Sequence, residues 1–396
     1  MATSRRATIA DVAAQAGVGV GTVSRVLNGG PNVREATRRK VLEVMGRLGY
    51  RPSHLAAALS RGSPHTVAIV VPYLTRPSVV TRLAGALTVF DEHGYDTIVC
   101  NVETPQQRDR HLQALVATHR ADGVVVVSLP LAKRHLVCFE EARVPLVMVD
   151  VEASGVPRTV IDDVLGGRMA TEHLLSLGHR RIGFVGDAVA RRAESELTFF
   201  SSRRRLDGYR RALRAAGVTY DAALVKCGAH SAAVAAEQAA QMLALRTPPS
   251  AIFAASDTQA IGVLTAAARS GHSVPDQLSV IGFDDIRAAA LHGLSTVRQP
   301  LERSGAEGAG RLCIMLAGQP VRPMRQELPL EIVRRSSSAR WRQPIVTSAA
   351  RACRPGGRTR QPGSGGLAGM SAAITQQVLG GRADGYRPSD SALEAR

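Results

Sequence analysis

Val20, Gly21, Thr22, Ser24, Arg25 and Asn28 form a short, mostly polar set with one fork-shaped cation, interleaved with the apolar Val23, Val26 and Leu27. On a helix the two sets take opposite faces. The first set suits the edges of base pairs. Arg25 can take guanine O6 and N7 bidentately, Val20 can touch a thymine methyl, and Thr22 or Ser24 can bond phosphate oxygens. A helical hairpin with a solvated polar face fits the same residues. Carboxylate pairs at Asp162-Asp163 and Asp284-Asp285 suggest a metal, but adjacent strand residues point apart, so strand-end and hinge contacts fit them better. No G-x-G-x-x-G follows a strand, and G-x-x-x-x-G-K-[ST], H-E-x-x-H and G-x-S-x-G are absent, which argues against an enzyme. No cofactor and no metal site is expected.

The elements that would present the first set are legible. Thr8 can cap a helix in which Ile9, Val12, Ala13 and Ala16 share one face, and Gly17 supplies the positive φ of a sharp turn. Val18, Val23, Val26 and Leu27 give a second helix its apolar face, making a helix-turn-helix. A third helix is expected over 35–48, with Val41, Leu42, Met45 and Leu48 inward and Gly49 as its stop. Residues 54–59 then read as a helix of about two turns, too short to stand alone and thus a candidate hinge.

Charge placement agrees with a DNA partner. Up to residue 61 there are ten Arg or Lys and three acids, a local net of +7, and each neutralised phosphate steepens the salt dependence of binding. The whole-chain charge of +17 says less, because only three of the fifty basic residues are lysine and coding bias can inflate arginine. The five cysteines, at 100, 138, 227, 313 and 353, follow no metal-ligand spacing and read as buried thiols of a reducing cytosol. No apolar run suits secretion or a membrane span, so a cytoplasmic location without membrane contact is expected.

From residue 66 the pattern becomes alternating strands (67–71, 96–100, 123–128, 146–150, 182–185, 251–255, 279–283) and helices (79–93, 108–118, 165–177, 204–216, 232–246, 258–270). That alternation predicts an α/β fold with mainly parallel sheets. At over 270 residues the region exceeds one comfortable core, so two lobes with a ligand cleft between them are expected.

The motifs T-I-A-D-V-A-x-x-A-G-V, T-V-S-R-V-L-N, T-R-x-K-V and G-Y-R-P, with Leu59 beyond them, resemble the LacI/GalR family of bacterial transcription factors. The resemblance continues through T-E-H-L-L-S-L-G-H-R-R-I-G-F-V, R-L-D-G-Y, P-D-Q-L-S-V-I-G-F-D-D and L-S-T-V-R-Q-P, covering about 8–338. It implies an α/β architecture: a helix-turn-helix head (1–50), a hinge helix (51–62), a two-lobed, periplasmic-binding-protein-like (type I) effector and dimerisation domain with parallel sheets (63–338), and a tail (339–396). DNA contacts would fall on Thr8, Val20, Gly21, Thr22, Ser24, Arg25, Asn28, Leu55, Ala56 and Leu59, with Leu59 as the minor-groove wedge; an ordinary interdomain leucine is the other reading. Effector contacts would fall on Asp150, Arg205, His230, Ser256 and Asp284, with Asp257 beside them. An interlobe ion pair is the other reading of Arg205 and Asp284, and a solvated loop residue that of His230.

Five positions depart from the family pattern. Gly19 and Arg34 stand where capping serines are usual. His230 replaces a frequent tryptophan, so a stacking platform is reduced or lost, and with Ser78 and Val79 in place of two aromatics this argues against a hexose effector. Residues 339–396 carry nine arginines against three acids, with Gly-rich runs and no leucine heptad, so a disordered basic tail and a homodimer are expected. The implied partners are double-stranded operator DNA and a small-molecule effector, and the implied role is a repressor. A small-molecule binding protein without specific DNA readout is the rival reading.

Overall fold

The computed structural model describes residues 7–27, 30, 32–50, 65–118, 120–188, 197 and 199–342. Asn28, Leu55, Ala56, Leu59, the expected hinge and residues 343–396 lie outside them.

Three helices make the head: α1 (Ile9–Ala16), α2 (Val20–Leu27) and α3 (Glu35–Leu48). Thr8 and Asp11 close a capping box on α1, and Gly17, at φ +65°, ends it while Val18 N–H returns to the Ala13 carbonyl at 3.1 Å. Arg34 precedes α3 without a side-chain cap. Val12, Ala13, Ala16, Val23, Val26, Val41 and Val44 form the core. Leu42, expected inside, is 52% exposed. Val44 takes its place because, with Val41, Met45 and Leu48, it keeps the three-to-four-residue step of a helix face, from which Leu42 lies one residue off.

Beyond residue 65 the chain builds two parallel-dominated lobes. In lobe 1, β1 (Thr66–Pro72), α4 (Pro77–Glu92), β2 (Asp96–Val102), α5 (Pro105–Thr118), β3 (Gly123–Val127), α6 (Lys133–Glu141), β4 (Leu146–Val149) and β5 (Arg158–Val160) follow in order. Lobe 2 holds α7 (Asp163–Ser176), β6 (Ile182–Asp187), α8 (Ser201–Ala215), β7 (Val225–Gly228), α9 (Ala232–Leu243), β8 (Ala251–Ala254), α10 (Asp257–Arg269), β9 (Ser279–Asp284), α11 (Arg287–Leu291) and β10 (Ser295–Arg298). The chain then returns to lobe 1 for α12 (Leu301–Leu316) and β11 (Arg325–Glu327) and closes lobe 2 with β12 (Glu331–Val333). The sheet orders are β11-β5-β4-β3-β1-β2 and β12-β10-β9-β8-β6-β7, and β10–β12 is the antiparallel pair among the described strands. Such an order places ligands beyond the strands' carboxyl ends. Three connections, at 161–162, 299–300 and 328–330, join the lobes, which suits a hinge.

Close helix packing in each lobe fixes a buried arginine. A Cβ on Gly305 of α12 would overlap the Arg82 carbonyl of α4, and one on Gly167 of α7 would overlap the Arg205 carbonyl of α8. Both positions need glycine because the helix backbones touch there.

Two expectations change. Folded structure extends past residue 338: Ala339 N–H donates to Ser279 Oγ, Trp341 N–H donates to the Leu177 carbonyl at 2.8 Å, and the Trp341 ring packs at a tilt against His179. These bonds extend the fold into what the arginine-rich composition marked as tail. Cys100 and Cys313 are buried, but Cys138 and Cys227 are exposed, on the solvent side of α6 and on the edge strand β7.

Candidate functional site

On α2 the core side and the outer side separate cleanly. Val23 and Val26 are buried, Val20, Gly21 and Arg25 are exposed, and Thr22 and Ser24 lie between. Arg25 Nε donates to the Gly21 carbonyl at 3.1 Å, so its guanidinium folds back along its own helix and is held by nothing that the core requires. Thr8 sits at the N-terminal end of α1, with its hydroxyl donated to Asp11 Oδ2 at 2.7 Å. Basic side chains at Arg34, Arg39 and Lys40 are exposed on or beside α3.

The second site is the cleft. Its polar residues end or follow strands: Ser128 after β3, Asp150 after β4, Asp187 at the end of β6, Ser256 after β8 and Asp284 at the end of β9. Tyr73, Ser128, Asp150, Asp284 and Asp285 hold positive φ, from 44° to 117°. Such conformations are strained for residues with a Cβ, and here they turn the chain sharply where the strands meet the cleft. Two adjoining cavities of about 60 and 210 Å³ share Ser128, Asp150, Phe199 and Ser201. Pockets for drug-sized ligands run to roughly 300–1,000 Å³, so this cleft suits something small.

A chain of polar contacts crosses between the lobes. Arg82 contacts Asp150 at 3.0 Å and donates to Gln299 Oε1 at 2.7 Å, and Gln299 Nε2 donates to Asp284 Oδ1. Arg205 donates to Asp163 at 2.8 Å and to the Ala255 carbonyl at 2.6 Å, lies 3.7 Å from Asp284, and stacks 3.6 Å over the Phe283 ring. Burial pushes the Asp163 and Asp284 carboxyls up, against the pull of the Arg205 guanidinium. Burial also opposes the charge on Arg205, but Asp163, Asp284 and Asp150 outweigh it and raise its pKa. His230 Nδ1 lies 3.0 Å from Asp187, which also accepts from Gln259 Nε2.

Asp150, Arg205, His230, Ser256 and Asp284 therefore line one cleft. Ser256 does so while capping α10 through Gln259 N–H. Asp257 does not line it. Fully buried, it accepts from Ile286 N–H and Thr296 Oγ1, because the first turn of α10 directs it behind the cleft wall. Sequence reasoning passed over Arg76, Arg82, Asp187 and Gln299 as site residues. Gln299 stood inside L-S-T-V-R-Q-P, and its place at a crossing between lobes was the missing signal. Among the described residues no His, Cys, Asp and Glu cluster is placed to share a metal, and no helix is long and apolar enough to cross a membrane.

Two family models match: bacterial regulatory proteins of the lacI family over residues 8–53, and a periplasmic binding protein-like domain over 171–338. The transcriptional regulator DegA of Bacillus subtilis is 32% identical over 347 residues, covering 84% of this chain and 98% of that protein. CelR of Thermobifida fusca is 34% identical over 346 residues, with 84% and 98% coverage. Among solved structures, a CelR–cellobiose complex superposes with a TM-score of 0.61 at 32% identity, covering 84% of this chain and 100% of that one. The lac repressor dimer bound to operator and the anti-inducer ONPF superposes at 0.73 with 27% identity, covering 85% and 100%. With the lacI model on the three-helix head and relatives above 30% identity matched over nearly their whole length, the chain belongs to the LacI family of bacterial transcription regulators.

Proposed function

We propose that the chain is a ligand-responsive repressor that binds a pseudo-palindromic operator as a homodimer. One observation carries this reading: the exposed face of α2 bears Val20, Thr22, Ser24 and Arg25 on a chain whose remaining fold encloses a polar cleft. Arg25 would swing off the Gly21 carbonyl to take a guanine edge, Val20 would meet a thymine methyl, and Thr8, Gly21, Thr22, Ser24 and Asn28 would approach phosphates or bases. Leu55, Ala56 and Leu59 would enter the minor groove from the hinge, with Leu59 as the wedge. The lac repressor dimer seen on operator supports two such heads reading two half-sites.

Asp150, Arg205, His230, Ser256 and Asp284 would bind the effector. Closing or opening the lobes on it would change the hinge spacing, to the extent that the ligand binds the two arrangements unequally. Catalysis plays no part in this reading, and the protein would work in the cytoplasm, where its DNA is. Selection of duplexes from a random DNA pool by the full-length protein tests it. Enrichment of a two-fold symmetric site with a deformable centre is expected; recovery of unselected DNA would overturn the repressor and leave a small-molecule binding protein.

A further inference from the structure

Nearly every charged group in the cleft already has a partner. Arg82 holds Asp150, Arg205 holds Asp163, His230 holds Asp187, and Gln299 donates to Asp284. Arg76 stands apart. It lines the cleft, yet among the described residues its guanidinium makes no hydrogen bond and no ion pair. Its contacts are two aromatic faces, Tyr73 at 4.2 Å and Phe199 at 5.1 Å. Asp187 and Asp284 attract it without touching it, and burial works against its charge.

Contact with two ring faces leaves the five N–H donors of the guanidinium without an acceptor among the described residues. A half-buried cation whose donors meet no acceptor among the described residues favours an acceptor arriving from outside. The fork matches two oxygens of one carboxylate or phosphate. A neutral sugar would leave those donors unmet, and the Tyr73 and Phe199 faces it could stack on carry Arg76 instead. Carboxylates that accept from hydroxyls, Asp150 and Asp284, line the same cavity. Phe199 also ties the position to lobe closure. It lies on the β6–α8 connection but packs with Tyr73 in the apolar cluster of lobe 1.

We propose that the effector is a small hydroxylated oxyanion, a sugar acid or sugar phosphate, whose anionic group is taken by Arg76 while Asp150 and Asp284 accept from its hydroxyls. This rests on the effector-cleft reading above. The test is thermal melting of the full chain without DNA at constant ionic strength, with millimolar inorganic phosphate, D-gluconate or D-glucose 6-phosphate, and with D-glucose as the neutral match. At least one oxyanion is expected to raise the melting temperature while D-glucose does not, and Arg76→Gln is expected to weaken that oxyanion by about tenfold to a hundredfold. Arg76→Lys, which keeps the charge and loses the fork, should fall between. Response to D-gluconate alone assigns an acid, and response to the phosphates alone assigns a phosphate ester. No oxyanion response, a response equal in Arg76→Gln, which would put the anion on the basic head or chain end, or equal stabilisation by D-glucose overturns the proposal. Sequence-selective DNA binding alongside any of these would overturn this inference alone; random DNA recovery would overturn the repressor reading instead.

Discussion

The recognition helix and the cleft use the same kinds of side chain in opposite ways. On α2, Val20 is 47% exposed and, among the described residues, the Arg25 side chain bonds to its own helix, while Val23 and Val26 hold the head together. In the cleft, Arg205 is 6% exposed and meets Asp163, the Ala255 carbonyl and the Phe283 ring at once. Binding chemistry on the head is therefore separable from folding. In the cleft the two are carried by the same atoms, so a ligand that redistributes those contacts acts directly on how the lobes sit together.

The largest test of that difference is Arg205→Ala. It removes the cation from beside Asp163 and Asp284 and leaves two buried carboxyls with one guanidinium fewer, which should cost about 3–5 kcal/mol of stability. Urea unfolding of the variant beside the wild type reads this directly; a loss under about 1 kcal/mol would mean that water or protonation replaces the pair cheaply. Gln299→Ala comes next, at about 1–3 kcal/mol, because it strips a hydrogen bond from both Arg82 and Asp284. If Gln299 also relays between the lobes, the same variant loses coupling between effector and operator beyond its loss of stability, measured as the change in operator affinity on adding ligand.

Much of this contrast could be read from the chain. The head was legible because its signals are local: Thr8 caps a helix end, Gly17 turns it, and valines step along one face. Strands β1, β3, β8 and β9 were legible as apolar runs, and Asp150 and Asp284 were found through the family pattern. Helix α12 was not read. Its Gly305, Gly308 and Gly310 lower helix propensity, and the reason for two of them is distant in sequence: Gly305 faces the Arg82 backbone and Gly308 faces Val149. The short strands β5, β11 and β12, three residues each, are set by pairing partners rather than by their own pattern. Arg76 was missed because its significance lies in the contacts it lacks.

Arg25→Ala sharpens the comparison from the other side. Its stability should stay within about 0.5 kcal/mol of the wild type, since the side chain leaves no buried partner behind. Its affinity for the selected operator should fall by about 1–3 kcal/mol, and one base position should relax. A binding titration on operator variants checks both; unchanged base preference would move recognition to other residues of the helix.

The remaining test lies behind the cleft wall. Burial, followed by the nearby Asp284 charge, pushes the Asp257 carboxyl up to about 8, against the hydrogen bonds from Thr296 and Ile286 that favour its ionised form. Below about pH 4 the group is protonated whether the chain is folded or not. As pH rises the unfolded chain ionises it first while the folded chain holds its proton, so its contribution to stability falls through this window and is gone above about pH 8. Asp257→Asn removes the titration and keeps an oxygen that can accept from Ile286 N–H. The variant should therefore lose less melting temperature than the wild type between about pH 5 and pH 8, and the difference between the two curves isolates this carboxyl from the others that titrate there. Parallel curves would mean that the two hydrogen bonds and the N-terminal turn of α10 keep Asp257 ionised in the fold, and that the wall behind the cleft carries a fixed negative charge facing Asp284.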